Sequence, residues 1–414
     1  MTPTLLLVTL YIAALAIFCV VAQRLPILAR EAQHRVSALD GLRGILATAV
    51  AVHHFAVTYY WHTTGLWQTT DSRVINNMGA VAVSLFFMIT GYLFTRKIQH
   101  AAPDWGQLLA SRLRRIMPMY LVSVSLIIAI AFYQSAGTLA PLGDTLRSLG
   151  HWLIFVGQPI NGFADTLRIN ASVHWTLLYE AVFYLCLPLL FCLVHWRAAQ
   201  RLRGRWMAER WTPERWKATQ GPGLQVARLQ VPGKALVFAL VALACLWTEY
   251  HHHFSTRYMR LFLAGIAVAL LEDWLKRRPF DYQSLRWTAL AVVIVVISLL
   301  VKSYTKVQLV LLTVPFALFV LGNNLHGLLE HRGMKILGEA SFSIYLLHGI
   351  VIYVLFSVWT VFDFAHSSLN GFAVYLIPVL LLTAFISVMT YWWVERPFIA
   401  SRGDEHSERG NDSL

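Results

Sequence analysis

The chain has 414 residues, of which 57% are hydrophobic and only 13% are charged. Soluble globular proteins carry roughly 25% charged residues, so this composition excludes an ordinary soluble protein. The formal net charge of +13 would raise the question of nucleic acid in a soluble chain. Here the basic residues sit in short segments between apolar runs. Because such residues set membrane topology and meet anionic lipid headgroups, no nucleic acid partner is predicted.

Long uncharged apolar runs recur along the chain, and each is a candidate membrane helix. About 20 such residues cross a hydrocarbon core about 30 Å thick, and a spanning segment must satisfy its own backbone hydrogen bonds. The sequence therefore predicts an all-α polytopic membrane protein with about 11 transmembrane helices. The predicted spans are 4–22, 43–61, 79–95, 116–134, 176–195, 234–250, 258–271, 286–302, 307–321, 341–360 and 372–393.

The lysines and arginines predict the orientation of these spans. With the N-terminus outside and the C-terminus in the cytosol, most of the 34 basic residues fall on the cytosolic side, as the positive-inside rule requires. The run 4–22 has no basic segment before it and no small-residue cleavage site, so we expect a retained span rather than a signal peptide. Segment 196–233 alternates arginines with tryptophans, which favours an interfacial helix or a polyphosphate partner. Segment 135–175 lies outside in this prediction and could help to form an acceptor site.

No metal site is predicted. The four cysteines lie inside apolar runs without metal-type spacing, which is typical of inert buried thiols. Successive helical residues diverge by about 100°, so the triplet 251–253, all histidine, cannot point at one ion from a helix. The sequence also lacks a Gly-x-Ser-x-Gly elbow, a Walker loop and a dinucleotide glycine fingerprint.

The stretch that leads from Asp40 into the second span carries the most informative polar residues. Ionisable groups within a span are expensive, which makes Arg43, His53 and His54 functional candidates. Helix geometry brings His54 to within roughly 20° of the Arg43 face and about 16 Å deeper, whereas His53 points elsewhere. This pattern predicts a cation near one membrane surface and an imidazole base about midway. The alternative is an arginine that reaches the headgroups and a histidine that joins two helices by a hydrogen bond.

Three further stretches carry polar side chains on or beside predicted spans. Arg112 and Arg115 are three residues apart and share a helix face, from which two guanidiniums could grip phosphate; anchoring to lipid is the alternative. Glu180 lies within a span and needs a cation or a histidine as partner, unless it takes up a proton. In the tenth span one stripe could line a polar cavity or join two helices. Its members are Ser341, Tyr345 and His348.

Taken together, these stretches resemble acyltransferase family 3, a family of integral membrane acyltransferases. Arg43 and His54 match the family's arginine and histidine, which are separated by ten intervening residues, after an opening motif at 39–44. The other family motifs are matched at Arg112, Arg115, Ile116 and Pro118, at Trp175, Glu180, Phe183 and Tyr184, at Ser341, Tyr345, Leu346 and His348, and at 395–398. The resemblance covers residues 36–400.

The resemblance implies a ten-helix acyltransferase core with one extra helix ahead of it. The expected regions are an N-terminal helix and basic loop (1–35), the membrane acyltransferase domain (36–400) and a polar cytosolic tail (401–414). Some members carry an appended extracytoplasmic hydrolase-like domain, which this sequence lacks. The protein is therefore expected to deliver the acyl group itself or to hand it to a partner.

The resemblance also implies a reaction. The co-substrate is acyl-CoA, acetyl-CoA by default, with no permanently bound cofactor, and its phosphates are held by Arg112 and Arg115 with Arg43 nearby. Catalysis falls to His54, Arg43 and Glu180, with His54 acting as general base or transiently carrying the acyl group. Either Asp40 or Glu180 fixes the imidazole tautomer or balances Arg43. The supporting residues are Asp40, Trp175, Ser341, Tyr345 and His348. The acceptor is a surface or exported polysaccharide or its lipid-linked precursor at a bacterial inner membrane, with membrane lipid and other polysaccharide-assembly proteins as partners.

Two other classes of function remain open from the sequence. A secondary transporter or flippase could use Arg43, His54 and Glu180 as a proton relay, although no inverted repeat is visible. A non-catalytic subunit could scaffold a glycan assembly complex through the basic segment 196–233.

Overall fold

The computed structural model describes residues 2–24, 38–100, 103–136, 139–208, 240, 242–243 and 254–400. These residues form helices and no strand, apart from one isolated bridge between Ile160 and Phe163. The helices are α1 (Pro3–Arg24), α2 (Ala38–Thr64), α3 (Arg73–His100), α4 (Trp105–Gln134), α5 (Leu142–Leu153), α6 (Thr166–Ile169), α7 (Trp175–Ala208), α8 (Thr256–Lys276), α9 (Leu285–Leu300), α10 (Lys306–Val320), α11 (Arg332–Glu339), α12 (Ser341–Tyr353), α13 (Leu369–Ala373), α14 (Leu376–Thr390) and α15 (Arg396–Ala400). Helix α12 continues into a π-helical turn, Val354–Val358, and α14 into another, Tyr391–Glu395.

This is an all-α multi-pass membrane protein, as the sequence predicts. Within the described ranges, seven helices are long and apolar enough to cross a membrane, and α9 and α10 are shorter apolar helices. The seven are Pro3–Arg24, Ala38–Thr64, Arg73–Gln99, Trp105–Gln134, Trp175–His195, Ser341–Val358 and Leu369–Ile399. The exact number of spans stays a prediction, because the span predicted at 234–250 lies mostly outside the described residues. The histidine triplet, the linker 25–37 and the tail 401–414 also lie outside them.

Helix α4 begins well before the span predicted at 116–134. Asp104 caps its first turn by accepting a hydrogen bond from the backbone N–H of Gln107 at 3.0 Å. Arg112 and Arg115 therefore lie within a continuous helix rather than in a loop ahead of it. Pro118 is accommodated inside the helix, where it removes one backbone hydrogen bond.

Close packing at the Arg43 end of α2 depends on glycine. A Cβ on Gly338 of α11 would lie 1.9 Å from the backbone oxygen of Asp40, and one on Gly41 would lie 1.8 Å from the oxygen of Leu329. Small residues at membrane helix interfaces let two backbones approach in this way. The glycine of the opening motif thus fixes how α2 sits against α11, and with it the position of Arg43.

The segment 154–174, between α5 and α7, enters the helix bundle instead of staying in the predicted external loop 135–175. The phenol of Tyr345 donates a hydrogen bond to the backbone oxygen of Val173 at 3.1 Å. A Cβ on Gly349 would lie 2.4 Å from the carbonyl carbon of Asn170. Irregular backbone at membrane depth is tolerated where protein buries it, and α12 provides that cover.

Candidate functional site

A cavity of about 260 Å³ lies among α2, α3, α4, α7 and α12, and we call it the basic cavity. Four cations and one carboxylate face it: Arg43, Lys97, Arg112, Arg115 and Glu180. Its apolar wall is formed largely by phenylalanines of α3, Phe86, Phe87 and Phe94. A site of this composition favours an anionic ligand that carries a narrow, less polar chain.

Three of the polar side chains of the basic cavity are linked to one another. Tyr184 donates a hydrogen bond to Glu180 Oε2 at 2.9 Å, and the Arg112 guanidinium hydrogen bonds to Tyr184. The same guanidinium lies 5.0 Å from the centre of the Phe94 ring. This network holds Arg112 against α3 and α7, as a buried charge requires.

The remaining two arginines differ in their partners. Arg43 pairs with Asp40 at 3.3 Å. Arg115 has no hydrogen bond or ion pair with another residue of the described chain, although it interacts electrostatically with Arg43 and Glu180. Arg114, the intervening arginine, does not line the cavity. Arg115 is therefore the guanidinium best able to accept a bound anion.

His54 of α2 and His348 of α12 form a hydrogen-bonded pair. The distance from His54 Nδ1 to His348 Nε2 is 3.0 Å, and His348 Nδ1 lies 3.0 Å from the backbone oxygen of Ile344. A carbonyl oxygen only accepts, so His348 carries its proton on Nδ1 and presents the lone pair of Nε2. His54 must then donate through Nδ1. This leaves His54 Nε2 as an unprotonated acceptor.

His54 also forms part of a second, much narrower space of about 10 Å³, which we call the aromatic slit. It lies towards the Thr64 end of α2, and its other walls include Trp61, Trp67, Arg168 and Tyr353. Trp67 stacks over the His54 imidazole, with ring centres 6.4 Å apart and planes 15° from parallel. The slit therefore reaches the imidazole from the side away from the basic cavity.

Helix α12 connects the two spaces. Ser341 and Tyr345 line the basic cavity, His348 binds His54, and Gly349 and Tyr353 line the aromatic slit. From Ser341 to Tyr353 the helix rises about 18 Å. A group held in the basic cavity thus approaches the histidine pair along one face of α12.

The structure separates some of the residues that the sequence groups together. Arg43 and Glu180 line the basic cavity, whereas His54 lines the slit. Neither Asp40 nor Glu180 contacts His54, whereas Asp40 pairs with Arg43 at 3.3 Å, which is the other role that the sequence left open for it. His348 contacts His54 instead, because α12 rather than α7 packs beside His54.

Trp175 does not line the basic cavity. Its ring packs against Tyr258, with centres 4.6 Å apart, and against Tyr179 at 5.5 Å. The next residue, Thr176, does line the cavity and shares a 3.0 Å hydrogen bond with Tyr345. Trp175 therefore supports the start of α7 through an aromatic cluster.

Several residues of the site were missed in the sequence. Trp61, Trp67 and Arg168 carry no motif, and only the expectation that 135–175 helps to form an acceptor site pointed towards Arg168. Glu395, which begins the family motif at 395–398, lines neither space; it is fully buried, accepts a hydrogen bond from Ser343, and has one carboxylate oxygen without a partner in the described chain. Within the same residues no cluster of His, Cys, Asp or Glu could hold a metal ion.

These features define a multi-pass helical membrane protein in which a basic cavity and an aromatic slit meet at a histidine pair. A family model described as an acyltransferase domain matches residues 36–392. The chain belongs to this family, acyltransferase family 3.

Two curated proteins are similar to parts of the chain. One is the acyltransferase MdmB of Streptomyces mycarofaciens, 27% identical over 177 residues, which are 41% of this chain and 42% of MdmB. Another is the O-acetyltransferase PaAT-1 of Phomopsis amygdali, 40% identical over 75 residues, which are 16% of this chain and 15% of PaAT-1. The chain thus matches less than half the length of either relative. No solved structure matches it.

Proposed function

We propose that this protein is a membrane-bound O-acyltransferase that moves an acyl group, acetyl by default, from acyl-CoA to a hydroxyl. The observation that carries the proposal is the placement of the basic cavity beside the His54–His348 pair, with Nε2 of His54 left free to accept a proton. Membership of acyltransferase family 3 supports the same reaction class. The names of the two relatives, an acyltransferase and an O-acetyltransferase, agree with it.

The donor suits the basic cavity on electrostatic grounds. Coenzyme A carries three phosphates, and the cavity offers four cations against one carboxylate. Guanidiniums bind phosphate through two parallel hydrogen bonds, and Arg115 has no competing partner in the described chain. The positive-inside rule assigns the end of the helix bundle that holds the basic cavity to the cytosol, where acyl-CoA is available. The acyl-pantetheine arm would then extend past Phe86 and Tyr345, whose ring centres are 6.3 Å apart.

The chemistry needs one base. His54 Nε2 takes the proton of the acceptor hydroxyl as its oxygen attacks the thioester carbon. The new C–O bond forms, the C–S bond breaks, and the imidazolium returns the proton to the departing thiolate. The products are an ester and free coenzyme A, so every atom and proton is accounted for.

The acceptor assigned by this proposal is a hydroxyl of a surface or exported polysaccharide, or of its lipid-linked precursor, at a bacterial inner membrane. Membrane lipid and other polysaccharide-assembly proteins are the expected partners. The N-terminus lies outside and the C-terminus in the cytosol, following the distribution of basic residues.

The proposal is tested by thiol release from acetyl-CoA with the purified protein in detergent. Wild type is expected to release thiol slowly without an acceptor. Arg115→Ala should raise the donor KM about tenfold, because a hydrogen bond to a charged group contributes about 1.5–3 kcal/mol. Arg114→Ala, which removes an adjacent charge outside the cavity, is the matched control and should stay within about threefold.

Two results would overturn parts of this proposal. No thiol release and no binding of acetyl-CoA by wild type would exclude acyl transfer from this donor. Equal effects of Arg115→Ala and Arg114→Ala would remove the basic cavity as the donor site.

A further inference from the structure

We infer that the aromatic slit is the acceptor site and that it binds the apolar face of a sugar ring with one hydroxyl directed at His54. This inference rests on the proposed acyl transfer and names the substrate class and its route of entry. The acceptor enters from the Thr64 end of α2, opposite to the donor.

His54 forms one wall of the slit. Nδ1 of the same ring is committed to His348 at 3.0 Å, so only Nε2 can take a proton from a hydroxyl. His54 lines the slit and does not line the basic cavity. An acceptor that came through the basic cavity would have to pass the donor to reach the base.

The walls of the slit match the two surfaces of a sugar. Trp61, Trp67 and Tyr353 present aromatic rings, and flat rings pack against the C–H face of a pyranose while excluding water. Arg168 lies 4.9 Å from the Trp61 ring and is held there by Asp165. Its guanidinium has N–H donors for the hydroxyls at the rim of the sugar. An apolar face bordered by fixed donors is the pattern that a saccharide requires.

Trp67 forms the wall of the slit that lies parallel to the His54 ring. In its present form the slit, at about 10 Å³, has room for about one water molecule, so a sugar must displace Trp67. That residue lies in the connection between α2 and α3, which begins at Gly65 with a φ of +73° and open space around it. The far end is fixed by hydrogen bonds between Thr70 and Asn76 at 2.6–3.0 Å. Trp67 therefore sits on a short tethered strap over the base.

The position of Trp67 over His54 affects hydrolysis of the thioester. While Trp67 covers His54, the slit has room for only about one water molecule beside the base, so hydrolysis of the thioester is slow. When a sugar displaces Trp67, its hydroxyl loses a proton to His54 Nε2 and attacks the acyl carbon, and the thiol leaves with the returned proton. Removal of the indole should let water or any small alcohol follow the same route.

The test uses acetyl-CoA with water and glycerol as acceptor probes, so no natural acceptor is needed. Trp67→Ala is expected to raise thiol release without added acceptor about tenfold over wild type, and to form acetylated glycerol in proportion to glycerol concentration. Trp67→Phe, which retains a smaller ring over His54, should raise thiol release less than Trp67→Ala does. Trp393→Ala removes a tryptophan that is 76% exposed on another helix and should match wild type.

Two results separate the inference from the proposed function. If wild type releases thiol and a stably folded Trp67→Ala does so at the same rate, without a gain in glycerol acetylation, the slit is not the acceptor route. If the gain in Trp67→Ala persists after His54→Ala is added, the route does not lead to His54 and the inference is again overturned. If neither wild type nor any variant binds acetyl-CoA, the proposed function itself fails.

Discussion

His54 and His348 lie 294 positions apart in the chain and meet through a 3.0 Å hydrogen bond between Nδ1 and Nε2. The contact joins α2 to α12, and the two imidazole rings have different roles because their surroundings differ. His348 is fully buried and faces a backbone carbonyl, so it orients its partner. His54 faces the slit, so its second nitrogen is available for chemistry. A carboxylate or carbonyl commonly fixes a histidine in this way, and here an imidazole does so.

His348 should therefore act as a positioning residue. His348→Ala leaves His54 Nδ1–H without its acceptor, and kcat for thiol release should fall about 10- to 100-fold while the donor KM stays within about twofold. His348→Gln supplies an amide oxygen as acceptor and should recover part of the loss. A pH–rate profile tests the positioning role, because loss of the acceptor at Nδ1 changes the proton affinity of the His54 ring and therefore the midpoint of the profile. Equal loss in both variants with an unchanged midpoint would contradict the assignment.

Replacement of Glu180 is expected to change donor binding rather than the rate of the chemical step. It lies among three arginines of the basic cavity and does not contact His54. Glu180→Gln removes a negative charge that opposes a phosphate ligand, so the donor KM should fall by about threefold or more. The value of kcat should stay within about fivefold, unlike that of His54→Gln. A loss of kcat comparable to that of His54→Gln would restore Glu180 to a catalytic role.

Gly349 tests how the segment 154–174 is held. A Cβ at this position would lie 2.4 Å from Asn170, so Gly349→Ala must push the segment away from α12. The expected cost is about 1–3 kcal/mol of stability, with a lower Tm and reduced acyl transfer. Gly143→Ala in α5 has nothing within 4 Å of the new methyl group, and its Tm should equal or slightly exceed that of wild type. Similar Tm values for both variants would contradict the tight packing.

The helices could be predicted from the sequence because hydropathy reports burial in lipid residue by residue. Arg112 and Arg115 could also be placed, since a three-residue spacing fixes a shared helix face whatever surrounds it. The face of α4 on which both arginines lie therefore follows from this local geometry alone.

The histidine pair and the slit could not be predicted for a different reason. His54 and His348 meet only because α2 packs against α12, and no local pattern encodes that contact. Trp67 and Arg168 come from two separate connecting segments, and the entry of 154–174 into the bundle brings Arg168 to the slit. The polarity of this segment predicts an external loop, because polarity alone does not show that α12 packs against its backbone.

The most direct test of the central claim measures donor binding and thiol release in the same variant. His54→Ala should bind acetyl-CoA within about threefold of wild type, because the basic cavity is intact, while thiol release falls about 10²- to 10⁴-fold. His53→Gln is the matched control, since His53 packs against Gly79 of α3 and faces neither cavity. That variant should retain both binding and release. Thiol release at the wild-type rate by a folded His54→Ala protein would contradict the assignment of His54 as the base.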